Sequence, residues 1–160
     1  MAAEIIYGLD SYFTFRIGGE LFAVNIGQIT KILEYTEVTK VPNSPRYFKG
    51  IINLFGEVIP VFDGRLKFGF PEEEARTRET CILILVFELD GNEVNSGIIV
   101  DSVEQVLTFS PEEIHPAPTV GKGFNSEFTH GIAYVKNEFV IILNLERIFS
   151  EEEIEIITSI

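Results

Sequence analysis

GIINLFGEVIPVFDGRLKFGF, residues 50–70, is the stretch from which the fold can be read. Ile51, Ile52 and Leu54 form a short apolar run. Phe55-Gly56 then predicts a tight turn, because glycine supplies the positive φ that a two-residue hairpin loop requires. Glu57 to Asp63 returns as a second strand with Val58, Ile59, Val61 and Phe62 on both of its faces, the pattern of a strand inside a barrel or sandwich. Pro60 has no N–H to give to a ladder, so it predicts a sheet edge or a bulge. Arg65 to Phe70 leaves the sheet as a short helical turn.

The pattern returns near the C-terminus as HGIAYVKNEFVIILNLERIF, residues 130–149. Set without a gap under Lys49–Phe68, it pairs Gly50 with Gly131, Ile51 with Ile132, Glu57 with Glu138 and Val61 with Ile142. Asp63 then meets Asn144, Phe68 meets Phe149, and the turn Phe55-Gly56 meets Lys136-Asn137. A second pair of blocks supports the first: AVNIGQITKIL from Ala23 matches GIIVDSVEQVL from Gly97. One hairpin can resemble another by chance. Two blocks repeated in the same order read as one duplicated β unit, with a period too long for a short solenoid repeat.

Around these blocks the chain reads as further short strands. Ser11 to Ile17 alternates, with Phe13, Phe15 and Ile17 on one face; Gly18-Gly19 turns it; Glu20 to Asn25 returns. Ile26, Ile29 and Ile32 fall three apart, which fits a helical turn running into a strand or a bulged strand. Thr36 to Pro45 is a loop. Pro71 to Glu79 is charged and reads as the linker between units. Cys81 to Phe87 is a buried strand, Asp90-Gly91 a hairpin turn, and Asn95–Val100 and Val103–Phe109 follow. Ser110-Pro111 reads as a helix N-terminus, and Pro116 to Glu127 as a loop. A C-terminal helix is expected over about 145–154, with Glu151, Glu152, Glu153 and Glu155 on solvated surface. Many short strands at regular spacing with few helices point to small barrels or a sandwich.

Composition bounds the function. The 160 residues make one domain or two small subdomains, and 46% hydrophobic residues with 14 Phe suffice for a packed core. A formal net charge of −13 argues against nucleic acid and against anionic membrane surfaces. Seven of the 12 basic residues nevertheless cluster at Lys40, Arg46, Lys49, Arg65, Lys67, Arg76 and Arg78, as a solvated face or a partner-facing patch. Cys81 is the single cysteine, so there is no disulfide framework and a reducing compartment fits. No apolar run is long enough to span a membrane and no signal peptide is visible, so direct membrane insertion is not expected and a cytoplasmic location is.

No catalytic constellation is expected. His115 and His130, the two histidines, have no metal-like partner at ligand spacing. Gly121-Lys122-Gly123 lacks the spacing of a phosphate loop. Asp63 and Asp101 each close a repeated strand, where an aspartate caps backbone groups more readily than it works as half of an acid–base pair. The expectation is a binding module that is not an enzyme, with no cofactor and no metal.

FKGIINLFGEVIPVFDGRLKFG, GIIVDSVEQVL and HGIAYVKNEFVIILNLERIF together resemble three signatures of the CheW-like domain family of bacterial chemotaxis signalling, in order, across residues 11–152. The resemblance implies a mainly β fold. Two SH3-like five-stranded barrels pack together with few short helices, a first barrel over 11–70 and a second over 80–149. With no receiver or kinase domain attached, the chain resembles the family's stand-alone coupling members. These are non-catalytic adaptors that bridge the cytoplasmic tip of a chemoreceptor to a CheA-like histidine kinase in the signalling array. A divergent module for another kinase pathway, such as surface motility, or a small-ligand sensor using the groove between barrels are the alternatives.

The resemblance also implies sites. The family's receptor-binding groove maps onto Ile26, Ile29 and Ile32 of the first unit and Val100, Val103 and Val106 of the second. These six are equivalent positions of the repeat, so they either line a shared seam or belong to barrel core. The kinase-binding surface maps onto Val38, Val41, Pro42, Leu54, Phe55 and Gly56. Two departures stand out: Phe55 replaces the arginine usual in the family, removing a five-donor cationic fork, and Gly64 replaces the usual leucine.

Overall fold

In a computed structural model that describes residues 10–71, 76–116, 128–149 and 151–159, the chain forms ten strands. They are β1 (Ser11–Ile17), β2 (Glu20–Asn25), β3 (Ile29–Glu34), β4 (Phe48–Leu54), β5 (Glu57–Asp63), β6 (Cys81–Leu89), β7 (Asn92–Val100), β8 (Ser102–Thr108), β9 (Thr129–Val135) and β10 (Glu138–Leu143). Two short helices, α1 (Gly64–Lys67) and α2 (Glu151–Ser159), follow β5 and β10. The Gly121-Lys122-Gly123 stretch, most of the expected loop Pro116 to Glu127 and part of the expected linker Pro71 to Glu79 lie outside the described residues.

Four hairpins share one turn chemistry. Gly18-Gly19, Phe55-Gly56, Asp90-Gly91 and Lys136-Asn137 each link two strands, and in each pair both residues have positive φ. That geometry matches the right-handed twist of the flanking strands. Phe55 adopts it at φ 52° despite its side chain, helped by Asn53 Oδ1, which accepts the Gly56 N–H at 3.0 Å.

The strands build two five-stranded sheets, and their membership corrects the expected 11–70 and 80–149 division. The first sheet runs β8-β1-β2-β10-β9 and the second β3-β6-β7-β5-β4. Each sheet therefore takes its first hairpin from one repeat and its remaining three strands from the other. The cause is the connection after the second strand of each repeat. Between β2 and β3 there is one 3-10 turn, Ile26–Gln28, and between β7 and β8 only Asp101. Neither carries the positive φ values of a reversing hairpin, so the chain runs on into the neighbouring sheet instead of folding back.

The duplication inferred from sequence holds down to register. Val61 of β5 lies opposite Gly97 of β7 in a parallel pair, and their repeat equivalents Ile142 and Ala23 face each other in the parallel pair β10–β2. Thr39 bridges Ile51 by two backbone hydrogen bonds of 2.9 Å, and His115 bridges Ile132 by two of 2.8 Å. Pro60 lies within the second sheet, on neither its edge nor a bulge. Its missing N–H costs nothing there, because the pairing of β5 with β7 begins one residue later, at Val61.

Three apolar clusters follow from this topology. One lies inside the first barrel, around Tyr12, Ala23, Val140 and Ile142. A second lies inside the other, around Ile52, Ile59, Val61, Ile82 and Ile84. The largest lies between the two sheets and joins Phe13, Phe15, Phe22 and Leu143 of one to Phe62, Leu83, Leu85 and Ile98 of the other. Burying each such side chain is worth roughly 1.5–3 kcal/mol, so the barrels share a core and do not merely touch.

The C-terminal helix begins later than the expected 145. Leu145, Ile148 and Phe149 are buried, but in a turn that Asn144 organises, its carbonyl accepting from Arg147 N at 3.0 Å and its Oδ1 from Glu146 N at 3.1 Å. The helix proper starts at Glu151, where three acidic residues suit the positive end of the helix dipole. Glu153 is also not solvated as expected: it is buried against Lys67. Gly64 has its own explanation. A side chain there would run into the Ile99 carbonyl and the Ile17 side chain, which fill the space.

Candidate functional site

The six proposed groove positions separate by burial. Val100 is fully buried within the inter-barrel cluster, so it is core and not surface. Ile26 is half-buried in the 3-10 turn. Ile29 and Val103 are half-buried and pack against the inter-barrel cluster. Ile32 and Val106 are exposed, at 47% and 43%.

Register explains the gradient. Ile29 and Ile32 sit opposite Leu85 and Leu83, while Val103 and Val106 sit opposite Phe15 and Phe13. All four partners belong to the inter-barrel core, and residues opposite one another in an antiparallel pair share a face. Since β3 and β8 are the outermost strands of their sheets, each carries an apolar pair from the edge of that core into solvent. Both strands bulge at the same point, between Ile29 and Lys31 and opposite Phe13–Phe15, which accounts for the three-residue spacing in the sequence.

The six positions that the resemblance implies for kinase binding do not form one patch. Val38 and Leu54 pack onto the core of the second barrel. Val41 and Pro42 are exposed, with the Val41 carbonyl accepting from Ser44 Oγ at 2.7 Å. The Thr39–Ile51 bridge sets Val41 beside the Lys49 end of β4, about five residues or ~17 Å from Leu54 at the other end. Phe55 stands at that other end, 87% exposed beside Gly56, with Lys31 Nζ 4.6 Å from its ring centroid. A cation thus stands where the resemblance implies an arginine, but it comes from β3 and rests on the ring.

Most of the basic cluster is committed internally. Arg65 donates to both oxygens of Asp101, at 2.9 and 2.8 Å, and Asp101 Oδ2 also accepts the Gly18 N–H at 2.8 Å. Lys49 lies 3.6 Å from Asp63, whose Oδ1 caps α1 through the Leu66 N–H at 3.2 Å. Arg76 stacks over Tyr35 at 3.8 Å. The two aspartates therefore tie backbone and cations together, as a structural knot between α1 and the β1–β2 turn.

Several features escaped the sequence reading. Tyr134 and Phe139 face each other on the β9–β10 hairpin, rings 4.8 Å apart and both more than half exposed. Arg16 spans β1, Glu104 of β8 and Glu138 of β10. Its guanidinium pulls the Glu138 carboxyl below the usual carboxylate range. Burial, with Glu34 nearby, pushes the Cys81 thiol up, which keeps it in the unreactive form. Among the described residues no group of His, Cys, Asp and Glu is placed to hold a metal ion.

Two open depressions of about 350 and 440 Å³ lie at the mouth of the first barrel and share Tyr12 and His130. Neither is lined by the groove positions, so neither is the inter-barrel pocket that a ligand sensor would need. Among the described residues no helix is long and apolar enough to cross a membrane.

The CheW-like domain model matches residues 11–153. The chain is 30% identical over 154 residues to a chemotaxis protein CheW of Rhizobium meliloti, covering 96% of each. It is 36% identical over 118 residues to that of Bacillus subtilis, covering 74% of this chain and 72% of the relative. In fold it is similar to the crystal structure of the scaffolding protein TtCheW from Thermoanaerobacter tengcongensis, with a TM-score of 0.77, 30% identity and 88% of each chain covered.

Proposed function

The chain belongs to the CheW-like domain family, and from that premise we propose that it is a non-catalytic adaptor of chemotaxis-type signalling. It couples the cytoplasmic tips of chemoreceptors to a CheA-like histidine kinase and works in the cytoplasm. The observation that carries this reading is the pair Ile32 and Val106. They are equivalent positions of the repeat, each on the outermost strand of its sheet, exposed while their in-register partners are buried. Ile29 and Val103 behind them both pack on the core between the sheets, and we take the two apolar pairs as a shallow strip of the kind an amphipathic helix occupies. A receptor tip is such a helical partner.

The kinase side is assigned to the β4–β5 turn, where Phe55 and Lys31 present an aromatic face and a cation together. Aromatic anchors of this type dominate interface energies. The test is co-precipitation of the purified protein with a receptor-tip fragment and with a CheA-like kinase, each alone and both together. Ternary capture is expected. Binding of neither partner at concentrations that saturate a typical family member would refute the adaptor reading.

A further inference from the structure

Lys67 and Glu153 form an ion pair of 2.7 Å whose side chains are only 7% and 3% exposed. Four pieces of chain meet at it. Lys67 ends α1, which follows β5 of the second sheet. Glu153 belongs to α2. The lysine ammonium also lies 4.8 Å from the ring of Phe128, which precedes β9, and 5.8 Å from that of Phe149, which follows β10 of the first sheet. Beside it, Tyr47 Oη donates to Glu152 Oε2 at 3.2 Å. Around this charged centre α2 lays Ile154, Ile156 and Ile157 on the inter-barrel cluster.

Stability alone does not account for such a pair. A buried ion pair is often matched or surpassed by apolar residues of the same volume, whereas removing one partner strands a buried charge. In some proteins a buried pair supplies a single permitted register that apolar contacts do not. We infer that Lys67 and Glu153 are positioning residues that lock α2 across the seam. They thereby fix the setting of the two barrels in which Ile32 and Val106 flank a receptor-binding strip. This rests on the receptor reading given above.

The test uses the full chain with Cys81→Ser and spin labels at Thr108→Cys on the first sheet and Glu88→Cys on the second. It compares Lys67→Met/Glu153→Leu with the parent by label-to-label distance distribution, urea midpoint and affinity for a receptor-tip fragment. The expected result is an unchanged midpoint, a broadened distance distribution and a receptor affinity lowered roughly tenfold, within the usual range for coupled sites. Lys67→Arg, which keeps the charge, is expected to retain a narrow distribution and the parent affinity. If the double variant loses cooperative unfolding, Glu153→Gln carries the same readouts.

A distribution as narrow as the parent's overturns the inference. So does a broadened one with unchanged receptor affinity while Ile32→Glu abolishes binding. If Ile32→Glu binds the receptor fragment normally, the receptor reading itself falls, and the distance distribution alone decides whether the pair sets the barrels.

Discussion

Gly50 passes so close to Thr39 that a Cβ on it would run into the Thr39 carbonyl oxygen, at a φ of 143° that only glycine adopts without strain. The contact exists because Ile51, the next residue, exchanges both of its backbone hydrogen bonds with Thr39. Gly50→Ala is therefore expected to cost about 3 kcal/mol or more, combining backbone strain with a clash that neither strand can relieve. The repeat equivalent Gly131 lacks the positive φ and meets the His115 oxygen only at 3.0 Å, beside a movable Ile114 side chain. Gly131→Ala is expected to be the milder change. Urea midpoints of the two variants, side by side, check the ranking.

For the proposed receptor strip, exposure decides which substitution is informative. Ile29→Glu and Val103→Glu put a carboxylate against the inter-barrel core and are expected to cost stability as well as binding. Ile32→Glu and Val106→Glu stand on exposed positions and are expected to unfold within about 1 kcal/mol of the parent. Each should weaken a receptor-tip fragment by about tenfold, as loss of an apolar anchor does. Titration calorimetry paired with urea denaturation separates the two pairs, and normal binding by both exposed variants would remove the strip.

Phe55 is exposed and Lys31 rests on its ring, so Phe55→Ala is expected to change stability by no more than about 1 kcal/mol, including loss of the Lys31 contact. The same variant should weaken binding of the proposed kinase-side partner roughly tenfold. Phe55→Arg restores the residue usual in the family and is expected to improve binding to a typical family kinase. Wild-type affinity in both variants would place position 55 outside the interface.

The Arg16–Glu138 pair makes a signed prediction about acid. The Glu138 carboxyl is held below its ordinary value chiefly by its hydrogen bonds from Arg16. Its contribution is therefore present above the ordinary carboxylate pKa and lost as pH falls through the depressed one. Glu138→Gln is expected to lower the urea midpoint slightly at pH 7 and to flatten its dependence on pH below about pH 4.5, so that variant and parent converge in acid. The pair is partly exposed, so the effect should also shrink with salt. An equally steep acid limb in the variant would show that the contact is not held in solution.

The repeat was legible because each strand's apolar pattern records which of its faces is buried. What that pattern does not record is against which strand. Val61 and Ile142 satisfy the same alternation whether their parallel neighbour comes from their own repeat or the other, so the exchange of strands left no trace in the strands' apolar pattern. It could have been read from the link between Val100 and Ser102, too short to reverse a chain. The exposed ring of Phe55 was foreseeable from its turn, as was the helical start at Ser110-Pro111, which is a single 3-10 turn over Pro111–Glu113 with the Ser110 N–H donating to Glu113 Oε1 at 2.9 Å. The burial of Glu153 was not. In a run of acidic residues nothing in the sequence distinguishes the one that finds a lysine in another helix. The same holds for the C-terminal helix, since Leu145, Ile148 and Phe149 have helical spacing but spend it on a buried turn.

The exchange of strands also says what half of this chain could be. A polypeptide carrying only the first five strands holds a hairpin that needs three strands from elsewhere and three strands that need a hairpin. Both demands are met at once by a second copy of itself, related by a two-fold axis. The single unit before duplication is thus expected to have been an obligate homodimer, and the segment from 71 to 80 a tether that made its two copies inseparable. Severing that tether should leave one particle, with the two fragments held by every strand they trade.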